Sequence, residues 1–180
     1  MRILINIISA LIITLVFVPL VFATVYFLDG NNGNDSWDGL VPDFTAGTNG
    51  PRATGAYSAD QMIAGDTVWV RGAEAGSRIV LPEGVYFDQA DGTAENPITF
   101  IGDTDGIYWS DSTDPRGLII DGENTRTRCF DSERPYINAS WFTVTGSKSI
   151  NLYTGSGASY NTYNNIKYLL LFCYSVILLY

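Results

Sequence analysis

Four copies of one short phrase constrain this chain more than anything else in it. An apolar residue, a spacer, an apolar residue, a spacer and a glycine recur. They appear as Val68-Trp69-Val70-Arg71-Gly72, Ile98-Thr99-Phe100-Ile101-Gly102, Leu118-Ile119-Ile120-Asp121-Gly122 and Phe142-Thr143-Val144-Thr145-Gly146. The closing glycines stand 30, 20 and 24 residues apart. Alternating side chains point to opposite faces of a strand, so each phrase is a short strand with one apolar face. Five residues span roughly 17 Å and form no domain alone. Stacked turn upon turn, such strands merge their apolar faces into one column, and parallel ladders satisfy the backbone. No helical apolar pattern separates the phrases, which argues against alternating strand–helix units. The pattern predicts an all-β solenoid in which each phrase is one coil and each glycine a positive-φ corner.

The chain in order divides into four stretches. Residues 1–23 carry one arginine, a long apolar run and a Val-Phe-Ala ending, the outline of a secretory signal. The 20 residues from Ile3 to Phe22, without a charge, are also long enough to span a bilayer. Residues 24–65 read as a strand, a turn-rich loop and a short helix. In that helix Ser58 and Gln61 form a capping box, Tyr57 and Met62 a hydrophobic staple, and Gly65 the C-terminal stop. Such a helix is placed to cover the open end of the solenoid. Residues 66–163 hold the coils. Residues 164–180 end in an uncharged apolar run that fits a core strand, a membrane-directed or anchor-signal tail, or the end of a truncated or frame-shifted reading. Without a second capping helix, the last coil exposes a strand edge, and self-association through that uncapped end is expected.

The order YFLDGNNGND, loop, helix, AGDTVWVRG, GVYF, GTAENPITFIG, LIIDG and SWFTVTG resembles the N-terminal part of secreted right-handed parallel β-helix proteins. This is the pectate-lyase-like superfamily, including its right-handed β-helix repeat members, and the resemblance covers about residues 24–153. It implies a right-handed parallel β-helix outside the cytoplasm and a polysaccharide partner, bound or acted on by lyase or hydrolase chemistry. Members usually continue for many more coils, with the groove along the middle ones. This chain is therefore expected to be an N-terminal portion without a complete active site. A structural or adhesive surface protein, with the β-helix as a rigid scaffold, is the reading from another class.

The chemistry-bearing residues narrow the options. With 19 acids, 10 bases and a net charge of −9, the chain is a poor partner for nucleic acid or anionic lipid. It has no histidine, which removes histidine-based triads and most zinc sites. Cys129 and Cys173 are too few for a disulfide framework. Asp29, Asp35 and Asp38 can supply oxygen ligands to calcium, but the fifth place counted from Asp29 is Gly33, off the EF-hand template. Turn formation by the same side chains is the competing reading. Lyases of this superfamily use arginine or lysine as base, often with calcium, and Arg126, Arg128, Arg134 and Lys148 are the cations available. No matched motif assigns any of them a catalytic role, so ion pairing with Glu123, Asp131 or Glu133 competes. As substrate contacts, Arg126, Arg128, Lys148 and Trp109 are the candidates, with Tyr108, Tyr153, Tyr160 and Tyr163 as further rings that can stack on sugars, against the competing reading that these loop aromatics pack over the coil ends.

Overall fold

The computed structural model describes residues 22–55, 61–72, 79–81, 84–113 and 118–168. The signal-like segment, apart from Phe22 and Ala23, and the apolar end after Tyr168 lie outside the described residues.

Ten strands carry the described chain: β1 (Val25–Leu28), β2 (Thr67–Arg71), β3 (Ile79–Leu81), β4 (Val85–Phe87), β5 (Ile98–Asp103), β6 (Leu118–Asp121), β7 (Arg128–Ser132), β8 (Ile137–Thr145), β9 (Ile150–Thr154) and β10 (Thr162–Tyr168). The pairing between them is parallel throughout. One ladder runs β1-β2-β5-β8-β10 and a second β3-β6-β8, both within one seven-stranded sheet; β4-β7-β9 form a separate sheet. The long strand β8 serves two ladders. Its first residues pair with β5 and its last three with β6. Between them Trp141 takes a left-handed backbone, φ 65°, and the chain changes partner there. Thus β2, β3 and β4 are followed by β5, β6 and β7, each of which pairs with its counterpart one step earlier.

The inward residues form one core. Val68, Phe100 and Ala139 stand in register in the first ladder, Leu81, Ile120 and Val144 in the second, and Val85 and Phe130 in the third. All are buried in a single cluster. Phe130 is its centre: ring centroids of Phe87, Phe100 and Phe142 lie 5.6, 5.6 and 5.1 Å away. Burying one such ring stabilises the fold by about 1.5–3 kcal/mol.

Three expectations are corrected. The four phrases are not one per coil: Leu118–Asp121 follows Ile98–Asp103 within the same circuit, and Phe142–Thr145 stacks beside Ile119–Asp121. In the first ladder Val68 pairs with Phe100 rather than Ile98, and Arg71 with Asp103 rather than Ile101. A two-residue slip keeps every side chain on its face, so apolar alternation cannot detect it. The glycines, secondly, are mostly not positive-φ corners; among the four, only Gly146 is, at 68°. Gly72, Gly102 and Gly122 are needed because the next circuit passes close. A Cβ on Gly102 would overlap the Trp141 carbonyl, and one on Gly122 would sit 2.6 Å from that of Gly146. Finally, positions 57–60 of the expected helix lie outside the described residues, while Gln61–Gly65 are turn and not helix. Met62 is nonetheless buried in the core.

Candidate functional site

On the outward face of the third ladder, Tyr86, Asp131 and Tyr153 stand side by side in register. Their neighbours Val85, Phe87, Phe130 and Leu152 pack into or against the core, so alternation sends these three outward. Asp131 is covered all the same, with 6% of its surface exposed. Arg128, three residues earlier, closes over it: Nη1 lies 2.5 Å from Asp131 Oδ2 and 2.9 Å from Glu133 Oε1. The same guanidinium stacks 3.5 Å from the Tyr153 ring centroid. Tyr86 donates its hydroxyl to the Arg128 carbonyl at 3.0 Å.

The electrostatics follow from burial. Desolvation pushes the Asp131 carboxyl above its ordinary range, although Arg128 pulls the other way. The hydrogen bond that Arg128 donates to Asp131, partly offset by desolvation, holds the guanidinium more firmly charged. Burial likewise raises the Tyr86 phenol, against the nearby Arg126. One atom stands out: Asp131 Oδ1 is buried and has no hydrogen-bond partner. A buried carboxylate oxygen without a donor is costly, and a ligand hydroxyl or amino group would satisfy it. The arrangement is an acceptor flanked by two phenol rings and a paired cation.

The residues singled out in the sequence are placed as follows. Arg128 is in this cluster. Arg126 is nearby but turned to its own loop, 3.9 Å from Glu123 and 3.4 Å from the Asp121 carbonyl. Lys148 is exposed, and its backbone N–H donates to the Arg126 carbonyl at 2.6 Å. Trp109 is no open platform: it is buried, its Nε1 donates to the Pro42 carbonyl at 3.0 Å, and its ring packs edge-on to Phe27.

Of the three aspartates weighed for calcium, Asp29 and Asp38 each hold a local turn, and Asp35 ties its loop to residues 53–54. Asp29 Oδ1 accepts the N–H groups of Asn31 and Asn32 at 2.8 and 3.1 Å. Asp35 Oδ1 accepts those of Ala53 and Thr54 at 3.0 and 2.9 Å, and Asp38 Oδ1 that of Leu40 at 3.0 Å. Among the described residues no three Cys, Asp or Glu are grouped to hold a metal ion. Asp29 also faces Arg71 at 2.8 Å, and Arg71 reaches on to Asp111. Burial pushes the Asp29 carboxyl up, but Arg71 and the turn N–H groups outweigh it and hold it below its ordinary value.

Sequence reading missed Tyr86 as a site residue and the Arg71–Asp29–Asp111 link. The spacing within a strand carries the first signal, since Tyr86 is the outward residue between Val85 and Phe87. The second has none, because Arg71 and Asp29 are 42 residues apart. No protein-family model matches the chain, and no curated protein matches it in sequence.

Proposed function

We propose that this chain forms an extracytoplasmic right-handed parallel β-helix that binds carbohydrate through the outward face of its third ladder. The resemblance to pectate-lyase-like proteins and the signal-like residues 1–23 support the placement. The repeated visit to three parallel ladders in one order supports the β-helix. A single observation carries the functional reading: Asp131, with an unpaired buried oxygen, sits beside Arg128, Glu133 and Tyr153. A rigid scaffold needs no such cluster. Carboxylate, guanidinium and aromatic ring together are the groups that orient and stack sugars. Self-association belongs to the same proposal, since the outer edge of β10 meets no described strand.

Calorimetric titration of the secreted protein with a broad set of plant, algal and bacterial polysaccharides tests the reading, with and without calcium. Binding that Asp131→Asn weakens at least tenfold, with the circular dichroism spectrum unchanged, is the expected result. Failure to bind any member of the set removes the carbohydrate function.

A further inference from the structure

The charges around Asp131 are unbalanced in a way that selects a ligand. Arg128 already faces Asp131 and Glu133, Arg126 faces Glu123, and Arg134 lies 3.4 Å from Asp91. Each arginine of this strip thus has a carboxylate before any ligand arrives. A uronate would have to displace one of those carboxylates and approach a chain of net charge −9. What the strip lacks is a donor, for Asp131 Oδ1.

At the corner leading from the third ladder back to the first, two tyrosines form a platform. The rings of Tyr136 and Tyr160 are stacked, centroids 4.9 Å apart and planes within 11°. Tyr160 is 76% exposed, so one side of the stack faces water. Both residues hold left-handed backbones, φ 56° and 61°, which are strained for tyrosine. The corner is nevertheless fixed. Asn161 accepts the Ile137 N–H at 2.8 Å and donates to Ser132 Oγ and the Arg134 carbonyl, both at 3.0 Å. Tyr136 N–H donates to the Ser159 carbonyl at 3.0 Å. A rigid, flat, apolar ring with a hydroxyl at its rim matches the C–H face of a pyranose, whose own hydroxyls point outward into water. Five residues separate Asp131 from Tyr136, at most about 17 Å of chain, which is within the length of a short oligosaccharide.

We propose that this strip takes a neutral pyranose chain, one ring stacking on Tyr160 and a hydroxyl donating to Asp131 Oδ1 once the side chains that cover that oxygen move aside, and that it discriminates against uronates. The proposal rests on the carbohydrate-binding reading above and names its ligand class. The test is calorimetric titration of the full chain with neutral β-glucan, xylan, mannan and galactan oligosaccharides, against polygalacturonate and alginate oligosaccharides. The expected result is binding of at least one neutral series at least tenfold tighter than either uronate. Tyr160→Ala should weaken it at least tenfold and Tyr160→Phe should retain it. Tighter binding of uronates overturns the neutral-sugar inference and leaves the carbohydrate reading standing; no binding of either kind overturns both. Neutral binding that Tyr160→Ala leaves unchanged overturns the platform. So does a dimer, seen by sedimentation, that Tyr160→Ala dissolves, because Tyr160 would then be covered by a second copy of the chain.

Discussion

Replacing Arg71 by glutamine tests how the first circuit is locked to the N-terminal turn. The Asp29 carboxylate is fully buried and takes one charged partner, Arg71 at 2.8 Å. Breaking a buried pair by removing one member costs about 3–5 kcal/mol, since the other charge is left uncompensated. Asp29 keeps the N–H groups of Asn31 and Asn32 and the Asn32 amide, so the low end applies, about 3 kcal/mol at pH 7. For a chain of this size that lowers Tm by about 6–12 °C. The pH dependence is the sharper signature. The Asp29 carboxyl is held below its ordinary value of 3.8, so its contribution is present above that pH and is lost as pH falls through the lower folded value. In the variant the carboxyl is no longer held down by a cation. The gap between wild type and Arg71→Gln should therefore shrink as pH falls from 7 to about 3. Urea unfolding followed by tryptophan fluorescence at both pH values measures it, and adding Asp29→Asn should restore part of the loss. A gap below about 1 kcal/mol at pH 7, or one equally large at pH 3, would refute the assignment of Arg71 as the counter-charge.

Two further outcomes follow from the packing. Phe130→Ala removes the ring at the centre of the aromatic core and should cost about 3–5 kcal/mol in urea unfolding, against at most about 1 kcal/mol for the half-exposed Phe44→Ala; similar losses would contradict the packing of that core. The Cys129 thiol is fully buried and pushed up to about 11 by burial, so peptide mapping after treatment with a thiol reagent at pH 8 should find Cys129 labelled only in denaturant.

Much of the fold is written locally. Alternation in Thr67–Arg71, Ile98–Asp103 and Ile137–Thr145 is enough to predict short strands with one apolar face. The lack of a long apolar helical pattern between them argues against helical crossovers. Side-chain direction follows from backbone geometry alone, and so Val68, Val70, Ile98, Phe100, Phe142 and Val144 could be assigned to the core before any contact was known.

Register, circuit membership and partnership were decided only by the assembled chain. A slip of two residues preserves every face, so no apolar pattern separates Val68 beside Ile98 from Val68 beside Phe100. The 20-residue interval between Gly102 and Gly122 looks like a repeat but is the distance between two faces of one circuit. The sequence leaves Trp109 either as a ring for sugars or as a loop aromatic packed over a coil end; the fold decides for packing, with residues 104–112 folded back over Phe27 and Asp103 accepting the N–H groups of Ile107, Tyr108 and Trp109. The candidate site has the same origin. Tyr86, Asp131 and Tyr153 are separated by 45 and 22 residues, and only parallel stacking brings them into one row. Sequence patterns report which way each side chain points. Which side chains meet depends on loop lengths and on close backbone approaches, as at Gly102 and Trp141, that exist only once successive circuits are in contact.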